Sequence, residues 1–124
     1  MFEVGIVAQF EAAHRLHGDF GPAARLHGHT YRVEVAVRGE SLQEDGTLCD
    51  IVVVRQAVDR MLKVVHYRDL TELELFEGRN TTAEVVAQVL FEQIVPDLKG
   101  KGLSSVSVQV WESPQAYAAY EGEI

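Results

Sequence analysis

Three histidines are the residues in this chain whose type and spacing best suit metal chemistry. His27 and His29 flank Gly28, and residues two apart on a strand point to the same face, so both imidazoles can converge on one point. His14 ends an earlier predicted strand, which a hairpin-like connection would bring alongside. Three imidazoles form a zinc site with a fourth position open for water or substrate. The spacing alone leaves the ordinary alternative open, in which these are separate loop or surface histidines.

Alternating apolar residues predict the strands that would carry these histidines. Every second residue from Phe2 to Phe10 is apolar, and the same period recurs from Thr30 to Arg38. Ser105 to Trp111 alternates again, and a last short strand is predicted around Tyr117 to Tyr120. A period of two is typical of half-buried strands.

Two further segments have the apolar spacing of helices. Asp50 is suited to cap a helix that runs to about Val65. Thr81 to Glu84 fits a capping box with Thr81 as the cap, and Pro96 is expected to follow the end of that second helix. The order strand, strand, helix, helix, strand, strand predicts an α+β fold with an antiparallel sheet and helices on one face.

Composition limits the classes of function. The 124 residues fit one domain over 1–124, and the net charge of -8 with a pI near 5.0 disfavours nucleic acid and anionic membrane as partners. The longest apolar stretch, Ile51 to Val54, is too short to span a bilayer. Cys49 is the one cysteine, so an internal disulfide is excluded. We expect Cys49 to be a small core residue rather than a nucleophile. We expect a cytoplasmic protein.

Two motifs around the histidines resemble those of the 6-pyruvoyl-tetrahydropterin synthase and 6-carboxytetrahydropterin synthase family. They are Phe-Glu-Ala-Ala-His-Arg-Leu from Phe10 to Leu16, and Leu-His-Gly-His-Thr-Tyr from Leu26 to Tyr31. Further matches follow in the family's order, at Gly46, Asp50, Arg68 to Leu70, Glu72, Asn80 to Glu84, Val110 to Ser113, Ala116 and Tyr120. The matches span nearly the whole chain and are specific in combination.

The resemblance implies a fold and an assembly. The fold is the tunnelling fold, with a four-stranded antiparallel sheet and two helices on one face. Subunits of this family join their sheets into an oligomeric barrel, usually a homohexamer of two stacked trimers. Closing the sheet would remove its exposed edges.

The resemblance also implies a ligand and a cofactor. Zinc would be bound by His14, His27 and His29. A pterin-like small molecule would be anchored by Glu112, since a carboxylate accepts paired hydrogen bonds from the ring's amino and N–H groups. Thr81 or Thr82 would lie near the same end of the ring.

The chain departs from the family pattern at the catalytic triad. Ala23 occupies the position of the family's cysteine. The family's adjacent Asp-His pair matches His66 and Tyr67 without a gap, or Val65 and His66 if one residue is inserted. In both alignments the cysteine and the aspartate are missing, so the usual proton relay cannot operate.

Three functions are consistent with these observations. The leading hypothesis is a homolog that binds a pterin-like ligand without the standard synthase activity. The alternative is a zinc-dependent lyase or epimerase acting on dihydroneopterin triphosphate or a related pterin, with His66 as a relocated acid or base. The ordinary role for His66 is packing at a helix end, where a histidine suits the helix dipole. The third function is a scaffold or regulatory subunit that retains the fold alone.

Overall fold

The computed structural model describes residues 1–124 and consists of one sheet with helices on one of its faces. The strands are β1 (Phe2–His14), β2 (His27–Gly39), β3 (Arg68–Asp69), β4 (Ser105–Ser113) and β5 (Ala116–Glu123). The α-helices are α1 (Ile51–Lys63) and α2 (Ala83–Leu98). Short 3-10 turns lie at Gly21–Ala24, Leu70–Glu72 and Glu74–Phe76.

The sheet has the order β3-β1-β2-β4-β5, and its four long strands are antiparallel neighbours. This confirms the predicted α+β architecture. β3 adds a two-residue strand that pairs in parallel with β1 at one edge, and two residues are too few to show an alternating pattern. β2 begins earlier than predicted because its pairing with β1 continues to the pair His14 and His27.

The core lies between the sheet and the two helices. Phe10 of β1, Val33 and Val35 of β2, and Val108 of β4 are fully buried on the face that the helices cover. Alternate residues such as Arg32 lie on the opposite, exposed face. Neither helix combines the length and the apolar composition that a membrane span requires.

The helix ends differ in part from the sequence prediction. The Asp50 carboxylate accepts from the Val52 N–H at 3.0 Å and caps α1, as predicted. The cap of α2 is Thr82, whose hydroxyl accepts from the Val85 N–H at 3.3 Å, so the prediction of Thr81 was wrong. The Thr81 hydroxyl instead donates to the Arg15 carbonyl.

The second helix also continues past the predicted stop. Pro96 lies inside the last turn of α2, and the helix ends at Leu98. The proline removes one backbone hydrogen bond near the end of the helix. Leu98 is fully buried, and burying a leucine side chain stabilises by roughly 1.5–3 kcal/mol, which offsets that loss.

Candidate metal centre and ligand cleft

The three predicted metal ligands converge at one end of the sheet, on the face that the helices cover. His14 pairs with His27 across β1 and β2, and Ala12 pairs with His29 in the same register. Residues facing each other across a pair, and residues two apart on one strand, share a face. Potential ligand atoms of all three histidines lie within 4.8 Å of one another. The hairpin therefore brings the three imidazoles together as the spacing predicted.

Backbone carbonyls fix the protonation of two of these rings. The Nδ1 of His14 lies 2.7 Å from the Thr81 carbonyl oxygen, and the Nδ1 of His27 lies 2.7 Å from the Arg25 carbonyl oxygen. A carbonyl oxygen can only accept, so each Nδ1 carries the proton and each Nε2 keeps its lone pair. This arrangement is typical of histidines that bind a metal through Nε2.

Two of the Nε2 atoms are left without a partner inside the protein. The Nε2 atoms of His14 and His29 are buried and accept or donate no hydrogen bond. An unsatisfied buried polar atom costs about 1–3 kcal/mol. A metal ion bound by the three histidines would remove that cost, and three nitrogen ligands with one open position suit zinc. The residues present therefore fit the metal that the family resemblance implies.

Burial also favours the neutral form of His14 and His29, which is the form that can bind a metal. Removal from water lowers the pKa of His14, although the hydrogen bond to the Thr81 carbonyl opposes the shift. Removal from water likewise lowers the pKa of His29. A histidine must be neutral to bind a metal ion. Both lowered pKa values favour neutral rings at pH 7.

Tyr31 is buried next to the histidine cluster, and its place in the site was not predicted from the sequence. Tyr31 is fully buried, and its hydroxyl lies 3.4 Å from the Nδ1 of His14. Burial raises the pKa of Tyr31, and the Glu112 carboxylate adds to the shift. The available signal was its position two residues after His29, on the same face of β2.

Glu112 lies beside the histidines at an irregularity in the sheet. The pairing of β4 with β5 shifts register between Trp111 and Ser113, and Glu112 is the residue between them. Such bulges turn a side chain away from the regular ladder. Glu112 and His29 both line a cleft of about 590 Å³. The negative charge of Glu112 partly opposes the lowering of the His14 and His29 pKa values by burial, as expected for a nearby carboxylate.

The two predicted threonines have different surroundings. Thr81 is 1% exposed, and its hydroxyl donates to the Arg15 carbonyl at 3.3 Å while its own carbonyl accepts from His14. Thr81 therefore orients the His14 ring. Thr82 is half-buried and caps α2. It precedes Ala83 and Glu84, which line a separate cleft that contains Glu112 but not His29.

No thiol lies at the position of the family's cysteine. Ala23 lies in the turn Gly21–Ala24, and its carbonyl accepts from the Leu16 N–H at 2.9 Å. Cys49 lines a cavity with Leu98, at the C-terminal end of α2, whereas the histidines lie near the N-terminal end. The 16 residues of α2 rise about 24 Å. Burial raises the pKa of the Cys49 thiol. Cys49 therefore cannot replace the missing group.

His66 and Tyr67 lie at the edge of the sheet, next to β1. The Nδ1 of His66 accepts from the Glu11 N–H at 3.0 Å, and the Tyr67 N–H donates to the Glu11 carbonyl at 2.7 Å. His66 lines neither of the two clefts that contain His29, whereas Tyr67 lines one of them. Tyr67 has a φ of 57°, the only positive value at a residue other than glycine. Such a conformation costs roughly 1–3 kcal/mol.

Comparison with known proteins finds relatives by sequence and by structure. A 6-carboxy-5,6,7,8-tetrahydropterin synthase of Haemophilus influenzae is 25% identical over 98% of this chain and 99% of its own. A dihydroneopterin monophosphate aldolase of Pyrococcus furiosus is 30% identical over 85% of this chain and 84% of its own. The structure of 6-pyruvoyl tetrahydropterin synthase of Caenorhabditis elegans superposes with a TM-score of 0.85, at 28% identity, over 98% of this chain and 96% of that one. The family model for 6-pyruvoyl tetrahydropterin synthase matches residues 3–123, so the chain belongs to that family.

Proposed function

We propose that this protein binds a reduced pterin-like ring between Glu112 and a zinc ion held by the three histidines, and that it does not carry out the cysteine-dependent synthase reaction. The observation that carries the proposal is the half-buried Glu112 carboxylate beside the unpartnered Nε2 atoms of His14 and His29. Glu112 has no ion pair within the chain. Its charge is therefore available to a ligand.

Each of these side chains has a separate role in the proposed binding. The Glu112 carboxylate accepts two hydrogen bonds from the amino and N–H groups of the ring. His14, His27 and His29 hold zinc, which when bound would polarise a substrate oxygen and lower the pKa of its hydroxyl. Thr82 is the threonine that we expect near the anchored end of the ring, since Thr81 is engaged within the fold. With Ala23 at the cysteine position, no thiol is present to transfer a proton.

We also expect the chain to assemble as the cytoplasmic homohexamer that the family resemblance implies. β5 forms one edge of the sheet, and its eight residues pair on one side only, with β4. An unpaired edge of that length favours pairing with a second copy of the chain. Sedimentation of the purified protein measures the assembly directly.

A second candidate function is a zinc-dependent lyase acting on a phosphorylated dihydroneopterin. The dihydroneopterin monophosphate aldolase of Pyrococcus furiosus, at 30% identity, favours this class. His66 would be the acid or base. Its Nδ1 already accepts from the Glu11 N–H, so the neutral ring carries its proton on Nε2, and this exposed nitrogen is the one left to transfer a proton.

Binding of dihydroneopterin triphosphate to the zinc-loaded protein tests the first proposal. Glu112→Gln removes the charge with little change in shape, and we expect affinity to fall by about 10- to 100-fold, because hydrogen bonds to a charged group are lost. Glu44→Gln, in an exposed loop, is the matched control and should bind like the wild type. An unmodified protein that does not bind the pterin, or a Glu112→Gln variant with unchanged affinity, contradicts the proposal.

Product analysis separates the two candidates. The zinc-loaded protein is incubated with the same pterin, and all pterins are quantified by chromatography. Unchanged substrate with tight binding supports the binding protein. A new pterin above the control without protein supports the lyase, and His66→Ala should then lower turnover while affinity is kept. His17→Ala is the control, since its exposed ring lies outside the cluster.

A further inference from the structure

The Thr81 carbonyl that orients His14 lies in irregular backbone. Residues 80–82 belong to neither a helix nor a strand, and α2 begins only at Ala83. No sheet ladder therefore fixes the direction of this carbonyl. The Tyr31 hydroxyl cannot replace it, because at 3.4 Å from the same Nδ1 it lies beyond the usual hydrogen-bond distance of about 2.7–3.2 Å. Contacts made by side chains must hold the segment in place.

Asn80 makes contacts that suit this task. Its Oδ1 accepts from the His17 N–H at 2.8 Å, and its Nδ2 donates to the His17 carbonyl at 2.9 Å. One side chain thus pairs with both main-chain groups of a single residue, as a neighbouring strand would. An amide supplies the donor and the acceptor together, whereas aspartate has no donor and alanine has neither. The pairing joins the segment that carries the Thr81 carbonyl to the chain that follows His14 at the end of β1.

Thr81 adds a second connection between the same two segments. Its hydroxyl donates to the Arg15 carbonyl at 3.3 Å, and its own carbonyl accepts from the Nδ1 of His14 at 2.7 Å. Residues 80–81 are therefore bonded to positions 14, 15 and 17. Without Asn80, only the long bond from Thr81 to Arg15 would hold the carbonyl against the His14 ring.

We propose that Asn80 is a positioning residue for the metal centre, which keeps the Thr81 carbonyl on the Nδ1 of His14 and so leaves the Nε2 lone pair free for zinc. This inference rests on the zinc site of the proposed function. A neutral imidazole carries one proton, and the hydrogen bond made at one nitrogen decides which of the two holds it. If the Thr81 carbonyl moved away, the proton could shift to Nε2, and that form of His14 cannot bind zinc through Nε2.

The test measures zinc affinity and the His14 tautomer in Asn80→Ala. Asn80 is half-buried and His17 is exposed, so water can satisfy the freed groups and the variant should fold. Competition with a chelator should show a zinc affinity about 10-fold lower than in the wild type, the low end of the range for losing a group that orients a ligand. NMR of metal-free protein labelled at the histidine ring nitrogens should show the Nε2–H form of His14 in the variant only.

Asp50→Ala is the matched control for a loss of stability. It removes the side-chain cap of α1 and should lower the melting temperature by about 2–8 °C. Asp50 lines the cavity that contains Leu98, at the opposite end of α2 from the histidines. Its zinc affinity and its His14 tautomer should therefore match those of the wild type. A residue that only stabilised the fold would behave like Asp50.

The outcomes separate the role of Asn80 from the proposal beneath it. A wild-type protein that binds no zinc overturns both. If the wild type binds zinc and Asn80→Ala keeps either the affinity or the tautomer, the role of Asn80 is overturned and the metal site stands. Equal losses of affinity in Asn80→Ala and Asp50→Ala also overturn it, because the effect would then follow from stability. Weaker zinc binding together with the Nε2–H form of His14, in Asn80→Ala alone, supports it.

Discussion

Binding of zinc at the three histidines should stabilise the protein, by an amount set by the excess of zinc over its dissociation constant. Without metal, the buried Nε2 atoms of His14 and His29 have no partner, at about 1–3 kcal/mol each. Zinc at 100 times its dissociation constant would add about 2.7 kcal/mol to the free energy of unfolding. A chain of 124 residues has an unfolding entropy of about 0.26 kcal/mol/K, so zinc should raise the melting temperature by about 10 °C.

The assay is differential scanning calorimetry of protein dialysed against a chelator, with and without added zinc. His27→Gln removes one ligand at a half-buried position and should abolish most of the shift. His17→Ala keeps the cluster and should preserve the shift. Equal melting temperatures with and without zinc would refute the assignment of the cluster as a metal site. A full shift in His27→Gln would refute the assignment of its ligands.

Two further predictions concern the fold and the thiol. Gly122→Ala would place a methyl group 2.6 Å from Phe91 Cζ, and such overpacking of about 1–3 kcal/mol should lower the melting temperature by about 4–11 °C. Adding Phe91→Leu should recover part of this loss, and an unchanged melting temperature in the single variant would contradict the packing argument. Cys49 is 8% exposed and burial raises its pKa, so at pH 8 iodoacetamide should alkylate it roughly 100-fold more slowly in the native than in the urea-unfolded protein. Comparable alkylation rates would show that the thiol is accessible and reactive in the native state.

The parts of the fold that the sequence predicted are those with a repeated local pattern. Alternation in β1, β2 and β4 has a period of two, and burial on one face makes that period visible. β3 could not be predicted, because two residues show no period and its pairing with β1 joins positions far apart in the chain. Pro96 misled the prediction of α2, since tertiary burial of Leu98 outweighs a local stop signal.

The clustering of the three histidines was predictable from strand geometry, whereas their role as zinc ligands was implied by the family resemblance. His14, His27 and His29 follow from strand geometry once β1 and β2 are paired. The partners that orient them were not predictable, since Thr81 reaches His14 through a backbone carbonyl, and such a carbonyl has no signature in the side-chain sequence. The strain at Tyr67 was likewise hidden, because it depends on how the chain leaves α1 and joins β3.

The use of backbone carbonyls to orient the ligands has a consequence for how this site can evolve. The acceptors for His14 and His27 belong to the main chain at positions 81 and 25, and every amino acid supplies a carbonyl oxygen there. Substitution of the side chain at position 81 or 25 leaves the imidazole tautomers unchanged as long as the backbone conformation is kept. The catalytic triad has no such protection, because each of its members acts through a side chain that a single codon change can remove. The arrangement of the candidate metal ligands therefore does not depend on the side chain at position 23, where this chain has alanine.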